Sequence, residues 1–355
     1  MEKNIDIVSA HSKKAPRRKK YELPVIGISL GDFNGIGPEV TIKALADKRM
    51  LHMMTPVIFG SSKVISYYRK AINMEDFNFM TIKSMDELAY GKVNVINCWK
   101  QVNVEPGKVT DEAGEAAWIS LKTATQALQD DQIDAIVTAP INKNNIQNEE
   151  FRFAGHTEYF AATFKAKEML MTMVYGQFRV AVATGHIPLS EVSNKLTREL
   201  IRRKLNTLEA SLKQDFGILK PKIAVLGVNP HAGEEGLLGT EEKEIIQPVI
   251  QELKGKGKLI FGPYPADGFF GTNAQNKFDG VLAMYHDQGL IPFKALAFEH
   301  GVNFTAGLPV VRTSPDHGTA YDIAGKGEAS EVSMREALYL ACDVIKSRQR
   351  NEPED

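Results

Sequence analysis

The sequence has little cysteine and no long apolar run. Its two cysteines, Cys98 and Cys342, lie far apart and outside any CxxC spacing. This excludes a disulfide framework and a thiolate metal cage, and it indicates a reducing compartment. No apolar stretch reaches the length of a membrane span, and the first residues lack the apolar core of a secretory signal. We therefore expect a cytoplasmic protein with two unreactive buried thiols.

An excess of charge of either sign is also missing. Lys and Arg number 43 against 44 Asp and Glu, which gives a formal net charge of −1. Such a chain produces no overall field that recruits nucleic acid or an anionic membrane, so we expect a small-molecule partner. A basic run at residues 13–20 (KKAPRRKK) lies in a polar segment, residues 1–21. We interpret this segment as a flexible tail, with a nucleic-acid or localisation patch as the alternative.

The remaining sequence alternates between short apolar runs and helical spacing. At 355 residues, 43% hydrophobic and 25% charged, the chain is long enough for two lobes that share a crevice. The alternation predicts a mostly parallel sheet covered by helices on both faces. The predicted strands are Leu23–Leu30, Pro56–Gly60, Lys92–Asn97, Ile133–Thr138, Pro221–Gly227 and Asp279–Tyr285, with an antiparallel pair, Met169–Tyr175 and Phe178–Thr184. The predicted helices include Asp111–Gln129, Asn194–Lys213 and Thr240–Lys254.

A glycine-rich turn, residues 31–39 (GDFNGIGPE), joins the first predicted strand to a helix. Free N–H groups at a helix N-terminus favour anions, so this turn is a candidate anion cradle. The spacing of Gly31, Gly35 and Gly37 is not the GxGxxG of a dinucleotide fingerprint. A packing role is the alternative.

Three histidines share one position relative to the predicted strands. His186, His231 and His286 each follow an apolar β-type run, in a turn marked by Gly or Pro. Three neutral imidazoles bind zinc or a similar metal and leave a coordination position for a substrate oxygen. No HxxxH or HExxH spacing supports this, and structural histidines are the alternative. Asp267 and Asp287 are candidates for orienting an imidazole or accepting a proton, or are simply turn and capping residues.

Further polar residues indicate an anionic substrate. Lys294, Asn303 and Arg312 lie just downstream of His286, and an arginine fits the bidentate contact that phosphate and carboxylate offer. Surface salt bridges are the alternative. His156 and Thr157 open a predicted helix and are candidates for binding a polar substrate group, although Thr157 also suits a helix N-cap.

Eight motifs follow one another along the chain: GDFNGIGPE, TAPINK, AGHTEY, TGHIPL, NPHAGE, PADGFF, AMYHDQG and TSPDHGTAYDIAGKG. Through these motifs, which come in the family's order, the sequence from roughly Pro24 to Leu340 resembles the 4-hydroxythreonine-4-phosphate dehydrogenase family. Phe33 departs from the Pro of many relatives. The resemblance implies an α/β fold similar to isocitrate and isopropylmalate dehydrogenases, with two α/β/α lobes and a central crevice. The lobes would be residues 22–150 plus 315–355, and residues 151–314, both approximate.

The resemblance also implies roles for individual residues. The metal ligands would be His186, His231 and His286, with one divalent metal per subunit, zinc or alternatively magnesium or cobalt. The substrate contacts would be His156, Thr157, Lys294, Asn303 and Arg312. Residues 316–327 look like the adenosine-binding loop of the related dehydrogenases, so NAD or NADP would be bound by His317, Gly318, Thr319, Ala320 and Asp322. The family also implies a homodimer whose active site takes residues from both subunits.

The implied reaction is metal-dependent, NAD(P)-linked oxidation of 4-phosphohydroxy-L-threonine at C3. Decarboxylation then gives 3-amino-2-oxopropyl phosphate, in pyridoxal 5′-phosphate biosynthesis. Asp267, Asp287 and Lys294 are the candidates for proton transfer. The nearest alternative is oxidation of D-threonate or D-erythronate 4-phosphate. A metal-dependent phosphohydrolase gives no role to residues 316–327, and a non-catalytic metal-binding or pyridoxal phosphate-sensing protein gives none to the Lys, Asn and Arg set.

Overall fold

The computed structural model describes residues 23–100 and 102–351, so the predicted tail, residues 1–21, lies outside the described residues. The chain divides into two compact units. Unit 1 comprises the described residues up to Tyr159 together with Val310–Lys346, and unit 2 comprises Phe160–Pro309 and the residues from Ser347 onwards. Within the described ranges, no helix has the length and apolar character needed to span a membrane.

Strands and helices alternate along most of the chain. The strands are β1 Val25–Ser29, β2 Thr55–Gly60, β3 Met80–Ile82, β4 Asn94–Asn97, β5 Ala135–Thr138, β6 Leu170–Tyr175, β7 Phe178–Val182, β8 Lys222–Leu226, β9 Leu259–Tyr264, β10 Gly280–Ala283, β11 Val302–Ala306 and β12 Val311–Pro315. The α-helices are α1 Gly37–Ala46, α2 Ser62–Ala71, α3 Asp111–Gln129, α4 His156–Thr163, α5 Val192–Lys195, α6 Arg198–Gln214, α7 Gln247–Gly255, α8 Ala266–Gly271, α9 His286–Ala297 and α10 Val332–Asn351.

Unit 1 contains a parallel sheet in the order β3-β4-β2-β1-β5-β12. Every residue of β1 and β2 is buried, as expected of a parallel sheet covered on both faces. Helix α3 packs on β1, β2 and β5. Ser120 is buried in this contact, and its hydroxyl is not left without hydrogen bonds, because it donates to Phe59 O at 2.6 Å and accepts from Leu30 N at 2.9 Å.

Unit 2 has the strand order β11-β6-β7-β10-β8-β9. Strand β6 is antiparallel to both of its neighbours, whereas β7, β10, β8 and β9 are mutually parallel. Helix α9 packs on this sheet through Leu290 and Phe293, which join the core of Val180 and Val281. Burying each of these large side chains contributes about 2 kcal/mol, so the start of α9 is firmly placed above the sheet edge.

The predicted α/β class is confirmed, and several elements fall where the sequence places them. Helix α3 has the predicted bounds, with Thr110 accepting from Ala113 N as its N-cap, and β6 and β7 form the predicted antiparallel pair. Residues 286–297 form α9, with Pro292 inside it. Two predictions need correction. The helix expected from Thr240 begins instead with a π-helical segment, Glu242–Ile246, before α7. Thr157 lies inside α4, which starts at His156, so it is not the N-cap.

Candidate active site

Four neighbouring parallel strands of unit 2 deliver the predicted metal and proton-transfer residues to one edge of the sheet. In the order β7, β10, β8, β9, the segments after these strands carry His186, His286, His231 and Asp267. Since parallel strands end at a common edge and neighbouring strands lie about 5 Å apart, the order along the edge follows from the topology. His286 therefore lies between His186 and His231, and Asp267 is outermost.

His186 and His286 form a close pair. Their ring centroids are 5.5 Å apart with the ring planes inclined at 43°. His286 Nδ1 lies 2.7 Å from Asp287 Oδ1. The other ring nitrogen, Nε2, takes no part in this contact. A carboxylate on one ring nitrogen fixes the tautomer and orientation of the imidazole, and metal-binding histidines commonly have such a partner. Asp287 thus fits the orienting role.

A pocket of about 280 Å³ surrounds the histidine pair. Its walls combine the two imidazoles and Asp287 with apolar side chains. The lining residues are Gly185, His186, Ile187, Leu189, Val192, Tyr285, His286 and Asp287. The pocket therefore has room for a small polar ligand beside two nitrogen donors.

Gln288, two residues after His286, connects the end of β10 to the end of β8. The Gln288 side chain accepts from Met284 N at 2.7 Å and donates to Gly227 O at 2.6 Å. Met284 follows β10 and Gly227 follows β8. One amide therefore fixes the ends of two neighbouring strands, whose loops carry His286 and His231.

His231 lies in an unusual turn. Residues 231–235 all have positive φ, between 41° and 80°, although only Gly233 is a glycine. Each non-glycine residue in this conformation costs about 1 kcal/mol or more, so the surrounding structure must hold the turn in place. The buried Glu242 carboxylate does so: it accepts from Val228 N at 2.7 Å and from Asn229 N at 2.8 Å. π-helical segments such as that of Glu242 often occur at functional sites.

The donor chemistry of this edge fits a divalent metal, and among the described residues His186 and His286 are the two imidazoles that lie close together. Within residues 23–100 and 102–351, no group of three or more His, Cys, Asp or Glu side chains is arranged to hold a metal ion. The His231 side chain is exposed. The set of three histidine ligands therefore stays a prediction.

Unit 1 holds a separate cationic cluster around His156 and Arg312. Arg312 is 2% exposed, and burial lowers its pKa to about 10. Its Nη2 and Nε donate to Thr138 Oγ1 at 2.8 and 3.2 Å. Burial, and then the charges of Arg312 and Lys143, hold the pKa of His156 well below its usual range. Nε2 of His156 is buried and has no hydrogen-bond partner among the described residues.

This cluster has the properties of an anion-binding site. A neutral imidazole, a fixed guanidinium and an ammonium together bind a carboxylate or phosphate well. The half-buried Thr157 follows His156 in the first turn of α4. Sequence reasoning had missed Lys143, although the TAPINK motif that contains it had been recognised.

Lys294 and Asn303 lie away from the histidine edge of unit 2. Lys294 is eight residues beyond His286 on α9, which is about 12 Å along a helix. Asn303 pairs with Met173, and Met173 pairs with Val180, before the end of β7. Oδ1 of Asn303 is buried without a hydrogen-bond partner among the described residues. Unit 2 thus has two groups of candidate residues: those at the carboxyl ends of its parallel strands, and Lys294 and Asn303, which lie away from those ends.

Residues 316–327, the candidate nucleotide loop, follow β12 as a series of turns in unit 1. Asp316 N donates to Ser333 Oγ at 2.9 Å, and Ala320 has a φ of 40°. Gly318 is exposed, and a Cβ there would meet nothing within 4 Å. Asp322 is also exposed. The predicted cofactor residues His317, Gly318, Thr319, Ala320 and Asp322 therefore form one continuous surface segment.

Comparison with known proteins agrees with the sequence resemblance. Residues 52–341 match the family model described as pyridoxal phosphate biosynthetic protein PdxA. A 4-hydroxythreonine-4-phosphate dehydrogenase of Bacteroides thetaiotaomicron is 54% identical over 327 residues, which cover 92% of this chain and 90% of that protein. A D-threonate 4-phosphate dehydrogenase of Cupriavidus necator is 40% identical, and the match covers 92% of this chain and 98% of that protein.

A solved structure shares the fold. The crystal structure of 4-hydroxythreonine-4-phosphate dehydrogenase from Klebsiella pneumoniae matches with a TM-score of 0.78 and 34% identity. The match covers 92% of this chain and all of that chain. With the family model spanning most of the sequence and the relatives covered almost completely, this chain belongs to the PdxA family of pyridoxal phosphate biosynthetic proteins.

Proposed function

We propose that this protein is an NAD(P)-dependent dehydrogenase that oxidises 4-phosphohydroxy-L-threonine at C3 and releases CO₂ to give 3-amino-2-oxopropyl phosphate. The observation that carries the proposal is the delivery of His186, His286, His231 and Asp267 to one sheet edge by four neighbouring parallel strands. The names of the relatives support the substrate.

In this proposal the metal is held by His186, His286 and His231. When bound, the metal would lower the pKa of the C3 hydroxyl and polarise the product ketone, while the nicotinamide ring would accept the hydride. Asp287 keeps the His286 ring oriented through its contact with Nδ1. Since that contact occupies Asp287, Asp267 and Lys294 are the better candidates for moving protons.

The cationic cluster of unit 1 would bind an anionic group of the substrate. Arg312 is fixed by Thr138, and the lowered pKa of His156 keeps that ring neutral near pH 7. A neutral ring can donate one hydrogen bond without adding charge. We add Lys143 to the predicted contacts His156, Thr157 and Arg312, because its charge acts on His156.

We also propose that the active enzyme is a homodimer with a composite site. The positions of Lys294 and Asn303 support this, because within unit 2 of one chain both residues lie away from the edge that carries the histidines. Ile291 and Phe298 are 65% and 74% exposed, and their spacing places them on the same face of α9 as Lys294. An exposed apolar face beside a substrate residue suits contact with a second copy of the chain.

A related substrate is the second candidate, because a relative 40% identical is named D-threonate 4-phosphate dehydrogenase. The deciding experiment gives the purified protein 4-phosphohydroxy-L-threonine, D-threonate 4-phosphate or D-erythronate 4-phosphate, with NAD or NADP and a divalent metal. Formation of reduced nicotinamide and of CO₂ is followed. We expect the highest kcat/KM with 4-phosphohydroxy-L-threonine. Preference for a threonate or erythronate phosphate would favour the second candidate, and release of phosphate without reduction would indicate a phosphohydrolase.

A further inference from the structure

The glycine-rich turn of unit 1 binds the protein's own chain. Asp32 N donates to Pro140 O at 3.0 Å, Gly35 N donates to Asp32 O at 3.1 Å, and Ile36 N donates to Thr319 O at 2.9 Å. These N–H groups are therefore occupied and do not form an anion cradle. The contact with Thr319 links the turn to the candidate nucleotide loop.

Glu39, in the first turn of α1, holds the far end of that loop. Its side chain is completely buried. The carboxylate accepts from Gly325 N at 3.1 Å, from Gly327 N at 3.4 Å and from Ala329 N at 3.0 Å. Gly325 and Gly327 have φ values of 74° and 75°, which glycine adopts without strain and which turn their N–H groups towards one acceptor.

Lys43 completes this contact. Its Nζ donates to Glu39 Oε1 at 2.9 Å, and to Gly327 O and Ala329 O at 2.7 Å each. The ammonium neutralises the buried carboxylate and also binds the loop's carbonyl groups. The loop is therefore held here through both its donors and its acceptors, and the charge of Glu39 is neutralised.

Asp32 holds the middle of the loop. It is also completely buried. Its Oδ2 accepts from Tyr321 Oη at 2.8 Å and from Asn145 Nδ2 at 2.8 Å. Burial raises the pKa of Tyr321, so its hydroxyl stays protonated and remains a donor at neutral pH.

We infer that Asp32 and Glu39 are positioning residues for the nicotinamide nucleotide, because they fix residues 319–329 in a binding conformation before the nucleotide arrives. The inference rests on the proposed dehydrogenase function and on the nucleotide-binding role that the sequence resemblance implies for His317, Gly318, Thr319, Ala320 and Asp322. A loop that is already ordered loses less conformational entropy on binding, so preorganisation strengthens affinity. The two carboxylates act through the loop and need not touch the nucleotide.

Glu39→Gln and Tyr321→Phe test the inference. The first replaces the buried carboxylate by an amide whose NH₂ group competes with the loop N–H groups, and the second removes one hydroxyl. We expect the Kd for NAD(P)H, measured by calorimetry, to rise about tenfold or more in Glu39→Gln and less in Tyr321→Phe. In Glu39→Gln the KM for the phosphorylated substrate and kcat at saturating nucleotide should change little. Amide hydrogen exchange of residues 325–329 should quicken in nucleotide-free Glu39→Gln.

Asp134→Asn is the matched control. Asp134 lies in the same unit and accepts from Val25 N at 2.6 Å, at the opposite end of β1 from the turn. This variant should keep the wild-type nucleotide Kd and the wild-type exchange rate in residues 325–329. If Glu39→Gln fails to fold, Tyr321→Phe carries the test alone.

Two results would overturn the inference, and they can be told apart. Wild-type nucleotide affinity and loop exchange in both folded variants would overturn the positioning role alone. Failure of the wild-type protein to bind either NAD or NADP would remove the nucleotide assignment itself, and the inference with it.

Discussion

Thr184 and Met284 tie together the two loops that carry the histidine pair: Thr184 Oγ1 donates to Met284 O at 2.7 Å. The hydroxyl is buried. Thr184 precedes His186 by two residues and Met284 precedes His286 by two. The bond therefore holds the two loops together just before the histidines, and so helps to set the distance between the two imidazoles.

We predict that His186→Ala and His286→Ala each abolish turnover and lower the zinc content, measured by elemental analysis of the purified protein. His231→Ala should do the same if the third ligand is correctly predicted. Thr184→Val keeps all three imidazoles but loses the bond to Met284, which costs about 1 kcal/mol, or about fivefold in metal affinity. The exposed His52 provides the control variant, His52→Ala. Full metal occupancy in all three ligand variants would contradict the metal site.

Arg312→Lys keeps the positive charge but loses the planar contact with Thr138 and, in the proposed function, the contact with the substrate anion. We expect kcat/KM to fall by about 2 kcal/mol, roughly thirtyfold, because a buried charge-assisted hydrogen bond is removed. Steady-state kinetics with the phosphorylated substrate measure this. Lys122→Ala, in an exposed ion pair with Glu150 of the same unit, should leave the kinetics unchanged. An unaltered kcat/KM in Arg312→Lys would return this arginine to a structural role.

The lowered pKa of His156 predicts a pH dependence of stability. In the unfolded chain this histidine titrates near 6.5, whereas the folded protein keeps it neutral to lower pH. Above pH 6.5 both states are neutral and the full stability is present. As the pH falls below 6.5, the unfolded state alone gains a proton, so the free energy of unfolding decreases.

His156→Gln should therefore reduce this acid-side loss, as measured by urea unfolding at a series of pH values from neutral to mildly acidic. His52→Gln is again the control, since that side chain is exposed. Identical slopes for wild type and His156→Gln would show that His156 is not kept neutral by folding.

A composite site predicts complementation between inactive variants. His186→Ala and Lys294→Ala are mixed, subunit exchange is verified, and dehydrogenase activity is compared with each variant alone. If the two residues act from opposite subunits, half of the dimers are mixed and each contains one intact site. Recovery to about a quarter of wild-type specific activity is then expected. No recovery after proven exchange would place both residues in one chain's site, and a monomer in sedimentation would remove the composite site.

Features with a local signal could be predicted from the sequence. Helical spacing predicted α3 with its observed bounds, and polar residues after apolar runs indicated the histidine edge. Strand β12 was missed, because its sequence VRTSP is polar although all five residues are buried. Only its neighbours in the fold, such as Thr138 beside Arg312, make that burial favourable.

Other features depend on contacts distant in sequence. Gly289 and Pro292 have low helix propensity, but packing of Phe293 and Leu290 in the core outweighs it in α9. The left-handed turn at His231 gives no local signal except Gly233, since it depends on Glu242 in the following segment. The same limit applies to Glu39, whose partners in the loop lie 286 to 290 positions away.

The placement of one candidate site residue after each of four parallel strands has an evolutionary consequence. His186, His286, His231 and Asp267 all lie outside the hydrogen-bonded strands, so mutations in these segments can alter chemistry without disturbing the sheet that supports it. A gene with this arrangement can acquire a new substrate by changing a few short segments. Relatives that are 54% and 40% identical carry the names of two different four-carbon phosphate dehydrogenases, as expected if this scaffold diversified at the ends of its strands.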